Sequence, residues 1–163
     1  MADPTAIQGI TITRSRCPLV QWQAWGDDDD GFARFAAGRL GASLPAEVGQ
    51  IVKSDGVTAV KIAPRRFWLL ASDPDAVPRG LPGTLGAELD LGEGRERIDI
   101  RTPALRDVLA QCLAVDWDRT QDRAVFAPLH RVPVMFTRGS TEHGTFVVPR
   151  TFAQSIADWL EDC

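Results

Sequence analysis

The C-terminal segment, residues 145–163, constrains the fold more than any other stretch of the chain. It begins with a β-type run at residues 145–148 and continues through Pro149 and Arg150 into a helical pattern. Thr151 stands where an N-cap hydroxyl is expected. Four large apolar residues then recur at i, i+4, i+7 and i+8: Phe152, Ile156, Trp159 and Leu160. Because this spacing places them on one helix face, the sequence predicts a strand that leads into an amphipathic terminal helix.

Two further helices are predicted, each with its own end signals. The first covers residues 32–40, follows four consecutive aspartates at 27–30 and ends before Gly41. Aspartates favour the positive N-terminal end of a helix, and glycine is a common C-terminal stop. The second is expected to open with Thr102 at the N-cap and Pro103 at the first helical position. Its apolar face consists of Leu105, Val108, Leu109 and Cys112.

Short apolar or alternating runs predict strands between these helices. They lie at residues 10–13, 19–25, 57–62, 67–71, 98–101 and 132–137. The runs at 57–62 and 67–71 are separated by a short Pro-containing segment, which predicts an antiparallel pair. Residues 74–94 fit a loop or a short helix, and residues 1–9 are expected to be loose.

The order of these elements predicts an α+β fold, with an antiparallel or mixed sheet and helices packed on it. The chain has 163 residues, of which 44% are hydrophobic and 25% charged. These values are typical of a soluble globular protein that buries a real core. We therefore expect residues 1–163 to form a single domain.

Charge and cysteine content restrict the classes of function. The formal net charge is −4, which argues against nucleic acid as a partner. No apolar run approaches the roughly 20 residues of a membrane helix, and the N-terminus does not resemble a signal peptide. The three cysteines have no CxxC spacing and indicate no disulfide framework. We expect a cytoplasmic protein that does not bind membranes.

Motifs for catalysis, metal binding and cofactor binding are not found in the sequence. The two histidines, His130 and His143, match no metal-ligand spacing. The aspartate run does not fit a calcium loop, because Gly26 and Ala37 would occupy positions that need a carboxylate. Phosphate-binding glycine loops and the GxSxG elbow do not occur. The sequence therefore predicts no catalytic, cofactor-binding or metal-binding residue in this chain.

Aromatic and arginine residues indicate a protein interface instead. Trp22 and Trp25, like Trp117, lie in short polar segments that are compatible with exposure, and tryptophan and arginine are enriched at binding hot spots. Arg65 and Arg66 precede Phe67-Trp68. Partly buried edge packing for the tryptophans and a solvated turn for the arginines are the alternatives. Our candidate interface residues are Trp22, Trp25, Arg65 and Arg66.

Three segments together resemble the gamma subunit of heterotetrameric sarcosine oxidase and related bacterial N-methyl amino acid oxidases and dehydrogenases. Residues 60–70 are similar to that family's strand, proline turn and aromatic-Leu-Leu strand. Residues 98–117 are similar to its strand, turn, central helix and Asp-containing tail. Residues 147–153 and 157–160, VVPRTFA and ADWL, are similar to its C-terminal motif.

This resemblance implies a fold like the folate-binding domain of glycine-cleavage T proteins. It also implies a non-catalytic subunit that supports the assembly and stability of an enzyme for oxidative demethylation of sarcosine or a related N-methyl amino acid. Larger alpha and beta subunits would carry FAD, FMN and NAD and bind tetrahydrofolate, while this chain holds no cofactor and self-associates when isolated.

The alternative is a stand-alone folate-binding protein of the same fold. Relatives of that kind usually have a Lys-x-x-x-Cys-Tyr motif, whereas this sequence contains no tyrosine. A plain small-molecule binding module is a third possibility that no specific motif supports.

Overall fold

The computed structural model describes residues 9–162. The expectation for residues 1–8 concerns a segment outside these residues, and Cys163 also lies outside them. The chain divides into two compact units. The central unit is formed by residues 16–95, and the split unit by the described residues up to 15 together with those from 96 onward. The expectation that residues 1–163 form a single domain stays a prediction.

The central unit contains a five-stranded sheet and one helix. Its strands are β2 (Leu19–Ala24), β3 (Ile51–Ser54), β4 (Val57–Ala63), β5 (Arg66–Ala71) and β6 (Gly86–Asp90), and its helix is α1 (Asp29–Leu40). The strand order is β3-β4-β5-β2-β6, and all neighbours are antiparallel. The predicted β4–β5 hairpin is confirmed.

The split unit contains a second five-stranded sheet and two helices. Its strands are β1 (Thr11–Arg16), β7 (Arg95–Arg101), β8 (Ala124–Leu129), β9 (Val132–Arg138) and β10 (His143–Pro149), and its helices are α2 (Leu105–Cys112) and α3 (Ala153–Glu161). The strand order is β1-β7-β10-β9-β8. β10 pairs antiparallel with β9, which pairs antiparallel with β8. The α+β class predicted from the sequence is therefore confirmed.

Each unit has its own hydrophobic core. In the central unit, Phe32, Ala36 and Leu40 of α1 pack among buried residues of the sheet, including Trp22 and Leu69. In the split unit, α2 and α3 bury their apolar faces on β7, β9 and β10. That core includes Ile98, Leu109, Phe136, Phe146 and Leu160. Amphipathic helices on a half-apolar sheet are the expected solution for an α+β unit.

The helix α1 has the predicted end signals. The Asp28 carboxylate accepts a hydrogen bond from the Gly31 N–H at 2.7 Å, which caps the first turn. Gly41 adopts the left-handed conformation at the other end, with φ of 66°. The aspartate run therefore forms the start of α1, as the sequence predicts.

The predicted starts of the other two helices are wrong. A 3₁₀ turn, Arg150–Phe152, precedes α3, so Thr151 is not its N-cap, and Phe152 is 48% exposed. The buried face of that helix begins one residue later, at Ala153. Thr102 does not cap α2 either, because its hydroxyl accepts a hydrogen bond from Ala104 N–H at 3.2 Å, within the preceding turn.

Three strands of the structure are not predicted by the sequence patterns: β3, β6 and β8. All three lie at an edge of their sheet. β6 reads GAELD and β8 contains Pro128, compositions that are unusual in strands. An edge strand is half-solvated, so its sequence carries a weaker apolar pattern than a central strand.

The β8–β9 turn provides a test of the backbone geometry. It consists of two residues, His130 and Arg131, which both have positive φ values, 46° and 70°. Two-residue hairpins of this kind favour glycine and asparagine, because other side chains are strained there.

Arg131→Gly is therefore expected to be more stable than Arg131→Ala by about 1 kcal/mol, measured by urea unfolding. Equal stability of the two variants would contradict this geometry.

Candidate protein–protein interface

Large apolar side chains are exposed at five described positions: Trp25 (51%), Val48 (47%), Leu89 (53%), Phe126 (42%) and Phe152 (48%). Single exposed apolar residues are normal on a protein surface. Trp25 differs from the others because it directly follows β2 and continues the pairing with β6: its N–H donates to the Leu85 carbonyl just before β6. Leu89 lies further along β6, opposite Gln21 of β2. The end of the central sheet at Trp25 is our candidate interface.

The Trp25 indole is exposed but held in one orientation. Its Nε1–H donates to the Gly83 carbonyl oxygen at 2.9 Å. Its backbone is also fixed, because the N–H bonds to the Leu85 carbonyl at 3.1 Å. A rigid, half-exposed indole loses little conformational entropy on binding, which is a property of tryptophans at binding hot spots.

Arg65 lies next to this tryptophan, although 40 residues separate them in the sequence. The Arg65 carbonyl accepts a hydrogen bond from Ala24 N–H at 2.9 Å. The Arg65 guanidinium lies against Gly26, whose φ of +93° favours glycine at this position. The guanidinium makes a 3.5 Å ion pair with Asp29, and both side chains are more than half exposed. Such a pair contributes little to stability.

Arg66 begins β5 and faces away from α1. Its Nε donates to the Gln23 side-chain oxygen at 2.7 Å. Two residues further along the strand, Trp68 Nε1 donates to the Gln21 side-chain oxygen at 3.1 Å. We call Trp25, Asp29, Arg65 and Arg66 the Trp25 surface. Its indole and guanidinium groups offer apolar area, hydrogen bonds and charge to a protein partner.

Trp22 does not belong to this surface, and the expectation that it is exposed is wrong. The side chain is fully buried, with Phe32 and Phe35 ring centres 6.4 and 5.6 Å away. Its Nε1–H donates to a Glu88 carboxylate oxygen at 2.9 Å. The alternation of β2 places residue 22 toward the α1 side of the sheet. Trp117 is partly buried, with the Arg138 guanidinium 4.3 Å from its ring centre.

A partly buried polar cluster in the split unit is absent from the sequence predictions. Asp99 accepts two hydrogen bonds from Arg97, at 2.7 and 2.9 Å, and one from the Thr145 hydroxyl at 2.6 Å. His143 Nε2 lies 3.2 Å from the same carboxylate. Burial raises the pKa of Asp99, but the bonds from Arg97 and Thr145, the Arg97 charge and the His143 bond together lower it below its usual value.

This cluster links β7 to β10. Asp99 of β7 accepts a hydrogen bond from the Thr145 hydroxyl of β10 at 2.6 Å, while Arg97 on β7 supplies the opposite charge. His143 begins β10, while His130 lies in the β8–β9 turn. His143 and Thr145 lie 44 and 46 positions from Asp99 along the chain, so no local motif reveals that they meet it.

No set of three His, Cys, Asp or Glu side chains among residues 9–162 is placed to hold a metal ion. None of the helices described there is long and apolar enough to cross a membrane. Cys17 and Cys112 are buried. Their burial argues for a role in packing.

Comparison with known proteins supports the fold. No family model matches the sequence, and no curated protein matches it. Among solved structures, the chain is similar to a chain of the heterotetrameric sarcosine oxidase from Corynebacterium sp. U-96 in complex with pyrrole 2-carboxylate. The TM-score is 0.81 at 22% sequence identity, and the match covers 96% of this chain and 84% of that chain. At this identity the likeness establishes the fold that the two chains share.

The hydrogen bond between Trp22 and Glu88 is expected to contribute to the free energy of unfolding. Glu88→Ala leaves the buried Trp22 Nε1–H without its acceptor, and also the Leu81 N–H, which bonds to the same carboxylate oxygen at 3.1 Å. The loss of such an acceptor typically costs about 1–3 kcal/mol. Glu88→Gln keeps an acceptor and is expected to lose less. Chemical unfolding of both variants measures the difference. Equal free energies of unfolding for the two variants would show that hydrogen bonding to Glu88 does not contribute to stability.

The lowered pKa of Asp99 predicts that the free energy of unfolding falls at acid pH. Because its folded-state pKa is lowered, the ionised carboxylate stabilises the protein above the ordinary aspartate value of about 3.9, and this stability is lost as the pH falls through the folded-state pKa. Asp99→Asn should flatten the fall in unfolding free energy below about pH 4.

Thr145→Val is the matched variant, because it removes one of the donors to Asp99 and should give an intermediate slope. Unfolding in urea between about pH 2 and 6 measures all three proteins. Identical slopes for Asp99→Asn and the unaltered chain would contradict the assignment.

Proposed function

We propose that this chain is a non-catalytic, gamma-type subunit of a heterotetrameric sarcosine-oxidase-type complex. The observation that carries the proposal is the backbone likeness, with a TM-score of 0.81, to a chain of such an enzyme. The alignment covers most of both chains, 96% of one and 84% of the other, so the two are also of similar length. Two chains that share a fold over most of their length are expected to occupy similar positions in their complexes.

In this proposal the larger alpha and beta subunits perform the chemistry. They would bind FAD, FMN, NAD and tetrahydrofolate and oxidise sarcosine or a related N-methyl amino acid. This chain would add contact area and stability. The side chains of the Trp25 surface support such a role, because a fixed indole beside two arginines is suited to binding a protein partner.

The Trp25 surface is only one part of the contact that the proposal requires. Stable subunit interfaces often bury above ~2,000 Å² in total, far more than one indole and two guanidinium groups supply. We therefore expect additional contacts on the same unit and self-association of the isolated chain. We also propose a cytoplasmic location, because three cysteines without CxxC spacing indicate no disulfide framework.

Co-purification of the tagged chain from its native host tests the proposal. Recovery of large flavin-containing chains at equal stoichiometry is the expected result. Recovery of the chain alone, under gentle low-salt conditions with those chains expressed, would contradict it. Titration of the isolated chain with tetrahydrofolate would then decide whether the stand-alone folate-binding alternative takes its place.

The same co-purification assay measures how far variants of the Trp25 surface weaken assembly. Trp25→Ala removes the central apolar group and is expected to weaken the complex at least about tenfold, since a hot-spot residue contributes ~2 kcal/mol or more. Arg65→Gly suits the positive φ of that position, 57°, while it removes the guanidinium, so lost binding would not reflect a strained turn. Phe152→Ala, at a similarly exposed residue of the other unit, serves as the control. An equal effect of all three variants would argue against the Trp25 surface.

A further inference from the structure

β6 is the outermost strand of the central sheet, and its register determines which backbone groups face outward. The hydrogen bonds from Trp25 N–H to Leu85 and from Leu91 N–H to Leu19 flank the β2–β6 ladder. In an antiparallel pair, bonded and non-bonded positions alternate. Residues 87 and 89 therefore bond to β2, whereas residues 86, 88 and 90 direct their N–H and C=O groups away from it.

The outward groups of Glu88 and Asp90 are open to a further strand. The Gly86 N–H is already bonded to the Pro82 carbonyl at 3.2 Å. Across residues 9–162, the backbone N–H groups of Glu88 and Asp90 have no such partner, and both residues are exposed. Their carboxylates are engaged within the unit, Glu88 with Trp22 and Asp90 with Arg79 at 2.7 Å. The open groups are thus a row of main-chain donors and acceptors.

β6 differs from the other strands that end a sheet in the described part of the chain. Lysine, arginine and proline are common devices that prevent an edge strand from pairing with another chain. Such residues occur in the other three edge strands: Arg14 and Arg16 in β1, Lys53 in β3 and Pro128 in β8. β6, with the sequence GAELD, contains none of them. The edge that is continuous with the Trp25 surface is therefore the least protected.

Leu89 and the charge of this segment indicate what kind of strand fits. Leu89 is 53% exposed and lies on the sheet face of its partner Gln21, opposite to α1. An apolar side chain of an added strand would cover it. Residues 86–94 contain the carboxylates of Glu88, Asp90 and Glu93 and no lysine or arginine, so these three acidic groups outnumber the one cation, Arg79, that pairs with Asp90. Charge complementarity therefore favours a basic segment.

We infer that β6 binds an extended, basic segment of a partner chain as a sixth strand, with an apolar residue of that segment packed on Leu89. Main-chain bonds to Glu88 and Asp90 would supply affinity, and the Leu89 contact and the charges would supply specificity. This inference rests on the proposed function, because the segment belongs to a larger subunit of the complex. It adds to the Trp25 surface the contact area that a stable assembly requires.

Hydrogen–deuterium exchange of the peptide that covers residues 86–92 tests the inference. The free chain is compared with the complex recovered by co-expression with the large flavin-containing chains of its host. Strand addition should slow exchange at about two more amides in the complex, those of Glu88 and Asp90. Leu89→Lys, which removes the apolar contact and repels a basic segment, should weaken assembly at least about tenfold.

Leu89→Val is the matched control, because it keeps an apolar, strand-favouring side chain and should assemble like the unaltered chain. Circular dichroism melting of the free variants confirms that both remain folded. A complex that forms without added protection at residues 86–92, and that tolerates Leu89→Lys, would overturn the strand inference and leave the proposed function standing. Failure of the unaltered chain to form any complex would overturn the proposed function and, with it, this inference.

Discussion

The central unit depends on one strand, β2, and on the bond that its Trp22 makes with Glu88. β2 pairs with β5 on one side and with β6 on the other, so it joins segments more than 40 residues apart. The Trp22 ring fills the core under α1, and its Nε1–H needs an acceptor because an unsatisfied buried donor is costly. Glu88 supplies that acceptor from β6. The edge strand is thereby fixed in register although its own sequence is a poor strand former.

This register has consequences on the outside of the molecule. Because Glu88 faces α1, Leu89 must face the other side, and the main-chain groups of Glu88 and Asp90 must face outward. The same strand β2 ends at Ala24, so Trp25 emerges beside the β4–β5 turn and Arg65. A buried hydrogen bond thus determines the position of an exposed indole, an exposed leucine and an open strand edge, the features suited to a partner.

In the split unit, a polar cluster has the corresponding role. Asp99 of β7 binds Thr145 and His143 of β10, which ties the middle strands on the face opposite to the helix-covered core. The carboxylate accepts hydrogen bonds from its own strand and from β10, so the arrangement stabilises the pairing of these strands.

The sequence by itself determined the α+β class, the helix α1 with its Asp28 and Gly41 ends, and the β4–β5 hairpin, because these depend on periodicity and on local end signals. It also identified Trp25, Arg65 and Arg66 as candidates for an interface. Only the tertiary structure decided that Trp22 is buried, that Trp25 and Arg65 are neighbours and that β6 is a strand. These facts depend on long-range pairing, and a single sequence does not encode which distant strands meet or which face of each is covered.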